Sequence, residues 1–163
     1  MELLDVYDNN GNRTGRVIDR SDFKTNPNLL GENENIAVAI IIIENSNHEF
    51  LIQKVPRGVY SSTGGHVASK EEPYDTIIRE IKEELGYDAS NDNIIYKVNK
   101  ILFDVIRHMY YLNKDIDLSK LKLQKEEVES VEYMDIDKIN KLIEEDKFMK
   151  GHALVFKELK LIK

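Results

Sequence analysis

Three carboxylates, Glu80, Glu83 and Glu84, stand together in the run REIKEELG from Arg79 to Gly86. Residues three and four apart share a helix face, so these acids repel one another by roughly 0.2–0.5 kcal/mol per pair. The helix dipole adds to the cost, because the carboxyl end of a helix carries about half a negative charge. A divalent cation, a basic partner or a solvated face would each accommodate such a cluster. Hard cations such as Mg2+ take oxygen ligands and are commonly held by a few carboxylates together with substrate phosphates. Metal binding would relieve the repulsion and let an acidic chain accept a small anionic substrate.

The element that must carry these acids is a helix beginning near Pro73, a residue favoured in a first helical turn. Tyr74, Ile77, Ile78, Ile81 and Leu85 recur at helical spacing and are expected to form its buried stripe, with Gly86 as the C-terminal cap. The stripe faces inward, so the glutamates lie on another face. Upstream, residues 36–43 (IAVAIIII) are β-branched and apolar on both faces, as suits a central strand. A turn at Asn45 to Asn47 leads to the strand EFLIQK, and VPRGVYSSTGG is expected to be a loop.

The chain opens with a hairpin whose arms flank Asn9, Asn10 and Gly11, and SDFKTNPNLLGENEN follows as a loop. Downstream, IIYKV, ILFDVIRHMYYL, KLKL and VESVEYM are expected to be strands. Asp135 is the N-cap of a helix carrying Ile139, Leu142 and Ile143. A last helical segment after Gly151 carries Leu154, Val155, Leu159 and Ile162. Intermixed strands and helices predict an α/β fold, a sheet sandwiched between helices.

The length of 163 residues suits one domain, which at this size buries about two-thirds of the surface of its unfolded chain. The absence of cysteine excludes disulfides and thiol nucleophiles. A net charge of −7 opposes nonspecific nucleic-acid binding. The longest apolar run, residues 36–43, is too short for a bilayer, which needs about 20 residues. The opening MELLDVYD has no secretory pattern. The expected protein is soluble, cytoplasmic and not membrane-bound.

Read outward from the glutamates, GGHVASKEEPYDTIIREIKEELGYD resembles the signature of the Nudix hydrolases, G-x5-E-x7-R-E-U-x-E-E-x-G-U, over residues 65–87. Gly65, Glu71, Arg79, Glu80, Ile81, Glu83, Glu84 and Gly86 are in register, and only Tyr87 departs, replacing an aliphatic residue. At roughly 7% average usage, the fixed positions would match by chance on the order of once in 10^8 starts. The resemblance implies a Nudix-type α/β/α sandwich with a mixed β-sheet, a single unit over residues 1–163 with residues 1–31 as a hairpin extension. It implies Mg2+ (or Mn2+) held by Glu80, Glu83 and Glu84 with the Gly65 carbonyl assisting, and Arg79 and Glu71 as the pair that orients the helix. A glutamate within this set or further along would deprotonate the water; the base is left open.

Lys54, Arg57 and His66 are further candidates for substrate contact, as are Glu126, Glu127 and Glu129 for an additional metal or base contact. Strand alternation allows at most one of Arg107 and His108 to face the substrate. The N-terminal hairpin and GGHV are similar to the subgroup containing isopentenyl diphosphate isomerase, which relies on a cysteine that this chain lacks. The expected activity is therefore hydrolysis of a nucleoside diphosphate linked to another moiety, a small-molecule diphosphate substrate. The alternatives are a nucleotide-sensing module without turnover and a prenyl diphosphate isomerase. The hairpin is also an expected homodimer contact.

Overall fold

The computed structural model describes residues 2–161. In chain order the strands are β1 (Leu3–Tyr7), β2 (Arg13–Asp19), β3 (Ile36–Glu44), β4 (Phe50–Lys54), β5 (Tyr60–Ser61), β6 (Thr63–His66), β7 (Ile95–Leu102), β8 (Val105–Asn113) and β9 (Ser130–Met134). The helices are α1 (Arg20–Thr25), α2 (Pro73–Leu85), α3 (Ile136–Glu144) and α4 (Lys150–Glu158).

Strand β3 sorts the core by its alternation. Ala37, Ala39, Ile41 and Ile43 pack with Ile77, Ile81 and Leu85 of α2 on one face. Ile40 and Ile42 pack with Ile139 of α3 and with Val155 and Phe156 of α4 on the other. Each of the fully buried Ile, Leu, Val and Phe side chains contributes about 1.5–3 kcal/mol. A strand covered on both sides must be apolar on both sides, which explains the unbroken run 36–43. The architecture is α/β, a mixed sheet between helical layers.

The seven-stranded sheet runs β5-β4-β3-β8-β7, with β6 added to β3 and β9 to β4. Strand β3 is parallel to β8 throughout, pairs with β6 over Val38–Ile41, and meets β4 only at Glu44–Phe50. The row His66, Val38, Arg107 therefore crosses three neighbouring strands in register. The hairpin β1–β2 forms its own two-stranded sheet. It docks through Leu4, Val6 and Ile18 against Ile36. Its Asp5 carboxylate accepts hydrogen bonds from Ser69 Oγ (2.7 Å), the Lys70 amide (2.9 Å) and Arg13 Nε (2.9 Å).

Several sequence expectations are corrected. The loop expected after the hairpin contains α1, capped by Asp19, whose side chain accepts from the Ser21 amide. Helix α1 buries no residue, so no apolar period marks it. The expected loop VPRGVYSSTGG contains β5 and the start of β6. The segment ILFDVIRHMYYL is not one strand: it turns at Phe103 and Asp104, both at positive φ (54° and 62°), with Phe103 fully in solvent at 86% exposure. KLKL is irregular, with only a 3-10 turn at Leu118–Lys120 beside it. Tyr74 leaves the buried stripe of α2; it is 41% exposed and packs its ring on Tyr110 at 6.4 Å. Leu154 and Leu159 are half-buried as expected on α4 and just beyond it, and Ile162 lies outside the described residues. Among the described residues no helix is long and apolar enough to cross a membrane.

Candidate active site

Helix α2 ends as its sequence requires. Gly86 adopts the left-handed conformation (φ 69°) that glycine adopts at low cost, and its amide closes on the Lys82 carbonyl. A side chain there would strike the backbone of Lys122, because the segment after the 3-10 turn at Leu118–Lys120 lies across the helix end. The Lys122 and Gln124 amides donate to the carbonyls of Leu85 and Glu84. This contact carries Gln124 and Glu127 to the same cleft as the glutamates of α2.

Arg79 organises the acids. Its Nε donates to Glu71 Oε2 at 2.8 Å and its Nη2 to Glu71 Oε1 at 3.0 Å, a bidentate pair. The same guanidinium reaches Glu80 Oε1 (2.9 Å), Glu83 Oε2 (3.2 Å) and the His66 carbonyl (3.2 Å). Glu71 also accepts from Thr76 Oγ1 (2.6 Å) and the Ala68 amide (3.2 Å). Burial alone would raise the affinity of Glu71 for a proton, but Arg79, Thr76 and Ala68 outweigh it and hold its pKa below the ordinary value. The Glu71 bonds raise the pKa of Arg79.

Glu80 and Glu84 behave oppositely. Burial raises both: with the neighbouring Glu80 carboxyl group adding to it, Glu84 is pushed up to about 9, whereas Glu84 and Arg79 act against the rise at Glu80. Glu84 Oε2 accepts from Gln53 Nε2 at 2.8 Å, and Gln53 Oε1 accepts from the Thr63 hydroxyl. The charge of Glu127 acts on Glu84 in the same sense as the contact with Glu80. Glu84 thus has neutral partners and acidic neighbours. Glu83 is half exposed at 51% and points to Arg79. Gly65 of β6 lies directly under Glu80: a Cβ there would run into the Glu80 carboxylate.

The cleft is a cavity of about 550 Å3 that continues past β6 to His66, Arg107, His152 and Arg20. Ser62 Oγ and His152 Nδ1 are 2.9 Å apart. Burial lowers the pKa of His66 and of His152 to about 4, with Arg20 acting further on the first and Arg107 on the second. Arg107 therefore faces the cleft, whereas His108 points to the other face and meets Tyr96 Oη at 3.0 Å. Of the acids downstream, Glu127 lines the cavity and Glu126 and Glu129 do not. Glu129 pairs with Lys54 at 3.6 Å, and Lys54 lies over the Tyr60 ring; neither it nor Arg57 lines the cavity.

The donors suit a hard divalent cation by chemistry: all are oxygens, and of Glu80 and Glu84 only the first is bonded to a cationic side chain among the described residues, that of Arg79. Among the described residues no three acidic or histidine side chains converge into a ready-made cage. One oxygen each of Glu80 and Glu83 is instead bonded to Arg79.

Residues 34–158, most of the chain, match the family model described as the NUDIX domain. The chain belongs to the Nudix family. This Nudix chain shares its fold with solved structures of low identity. DR0079 from Deinococcus radiodurans is 21% identical, with a TM-score of 0.78 over 96% of this chain and 98% of that one. The C. elegans Ap4A hydrolase is 21% identical, with a TM-score of 0.56 over 76% and 96%. The E. coli dihydroneopterin triphosphate pyrophosphohydrolase is 12% identical, with a TM-score of 0.59 over 75% and 92%. No curated protein matches the Nudix chain significantly. The Nudix match starts at residue 34, so the hairpin and α1 lie outside it.

Proposed function

We propose that this chain is a divalent-metal-dependent Nudix hydrolase that cleaves the diphosphate bond of a nucleoside diphosphate linked to another moiety, acting as one unit over residues 1–163. The single observation that carries the reading is that Glu80, Glu83, Glu84 and Gly65 line one cleft, with Glu80 and Glu84 near enough to act on each other's ionisation. Two carboxyl groups pressed together resist ionisation until a cation joins them. Glu80, Glu83 and Glu84, with the Gly65 carbonyl, would hold Mg2+ or Mn2+. That ion would supply positive charge at the transferred phosphoryl group and favour ionisation of the attacking water.

The residues divide the remaining work. Arg79 and Glu71 fix the loop before α2 to the helix, so that the glutamates point into the cleft. Gln53, oriented by Thr63, holds Glu84 by one oxygen and leaves the other for the site. Glu127 enters from a different segment and, among the described residues, pairs with no basic side chain, which suits it to take the water's proton.

The experiment is a screen of nucleoside triphosphates, nucleotide sugars, ADP-ribose, dinucleoside polyphosphates and coenzyme A with Mg2+ or Mn2+, products being scored by mass. Turnover that disappears in folded Glu83→Gln and Glu84→Gln supports the reading. Unchanged turnover in both variants, or saturable nucleotide binding with no product from any compound, overturns it.

A further inference from the structure

Away from Glu80, Glu83 and Glu84 the cleft is lined by Arg107 and Arg20, with Glu2 the one carboxylate at that end among the described residues. Arg107 is partly buried and donates from Nη1 to the Leu102 carbonyl at 3.0 Å. Among the described residues no carboxylate pairs with it, and burial alone acts on its charge, lowering its pKa. A guanidinium withdrawn from water without a counter-charge is unfavourable unless an anion joins it.

Arg20 enters the same cavity from α1. Its Nη1 donates to Glu2 Oε2 at 2.9 Å, while its Nε is, among the described residues, the buried side-chain polar atom that lacks a partner. Arg20 acts on His66, and Arg107 acts on His152. His66 and Arg107 are the two ends of the three-strand row centred on Val38, so their Cα atoms are separated by about two strand spacings, roughly 10 Å. Arg20 and Arg107 line one cavity together with Val38, Val105 and two neutral imidazoles, and Glu2, which occupies one end of the Arg20 guanidinium, lines it too.

No Phe, Tyr or Trp side chain lines the cavity among the described residues. A nucleobase would find no aromatic platform there, whereas an oxyanion would find two guanidiniums.

We propose that Arg107 and Arg20 form an anion subsite, and that the substrate carries a phosphate group in addition to the diphosphate that is cut. The inference rests on the hydrolase reading for its substrate but not for its subsite. A phosphomonoester on the far moiety, or a further terminal phosphate, satisfies the same chemistry. Arg20 lies outside the matched residues 34–158, so this selectivity comes from the N-terminal extension.

The test uses the full 15N-labelled chain in EDTA, with inorganic phosphate as the probe and the arginine Nε–H resonances followed. Saturable shifts of the Arg107 and Arg20 signals are expected. Phosphate affinity should fall at least tenfold in Arg107→Gln and in Arg20→Gln, each confirmed folded, and recover in part in Arg107→Lys. Shifts that never saturate, or an affinity unchanged in both glutamine variants, overturn the subsite.

With Mg2+, nucleoside diphosphate derivatives are then compared in pairs that differ by one phosphate, placed either as a far monoester or as a chain extension. The phosphorylated member should show a kcat/KM at least tenfold higher, and Arg107→Gln should shrink that ratio. Equal kcat/KM in both kinds of pair overturns the substrate assignment. Phosphate binding at Arg107 without turnover of any compound supports the subsite and removes the hydrolase reading. Turnover without phosphate binding does the reverse.

Discussion

Arg79 holds both oxygens of Glu71, at 2.8 and 3.0 Å, and touches the Glu80 and Glu83 carboxylates with the same guanidinium. One side chain thereby joins the loop before α2 to the acidic face of the helix.

Arg79→Lys should therefore be far from conservative, since an ammonium cannot form the paired contact. The expected loss is about 1–3 kcal/mol of stability, together with a drop of at least tenfold in kcat, measured by urea unfolding and by turnover. Because the pKa of Glu71 is lowered in the folded protein, its contribution is complete above its ordinary 4.5 and is lost as pH falls below that value. Glu71→Gln should weaken this part of the acid dependence.

Glu84 carries the opposite sign. Its folded pKa of about 9 exceeds the ordinary 4.5, so the folded state binds more protons between those values, and metal-free protein loses stability as pH rises through that window. In EDTA at pH 8, Glu84→Gln should melt at a higher temperature than the unsubstituted chain while failing to turn over substrate. Adding Mg2+ or Mn2+ should raise the melting temperature of the unsubstituted chain more than that of the variant. A lower melting temperature for Glu84→Gln at pH 8 would contradict this account.

Gly65→Ala tests the close approach of β6 to the helix. The added methyl meets the Glu80 carboxylate, which must move. Turnover should fall at least tenfold, and the stability cost should be about 1–3 kcal/mol. A crystal structure of the variant should show Glu80 displaced.

His152, with its pKa lowered to about 4 from 6.5, is neutral in the folded chain. The unfolded chain takes up the proton first, so stability is complete above pH 6.5 and falls as pH drops toward 4. His152→Gln, which does not titrate, should flatten the slope of unfolding free energy over that interval. His66 contributes in the same direction, so the flattening is partial.

The parts legible in the sequence were those with local cause. The run 36–43 announced a strand buried on two faces, and Pro73, Ile77, Ile81, Leu85 and Gly86 announced α2 and both its ends. The signature residues predicted the Arg79–Glu71 pair, which the structure forms. The turn at Phe103 and Asp104 was hidden because an exposed phenylalanine in a strand-like run gives no turn signal. Helix α1 was hidden because it buries nothing.

Long-range placement was the larger gap. His152 reaches Ser62 across 90 positions, and Arg20 shares a cavity with Arg107, with no periodicity linking either pair. Gln53 was discoverable: it is a polar residue amid FLIQK that is only 1% exposed, and a buried amide in an apolar strand must have partners. The loose acid candidates could be separated only by the path of the segment over Gly86, which brings Glu127 inward and leaves Glu129 to Lys54.

The anchoring of Asp5 to Ser69 and Lys70 makes the leading hairpin something other than a detachable appendage. Lys70 sits at a φ of 69° where its amide meets Asp5, one residue before Glu71. A hairpin transplanted from a relative would have to bring its own carboxylate to that amide, or α2 would inherit the misfit. Diversification at the front of the chain is thereby tethered to the acidic helix behind it.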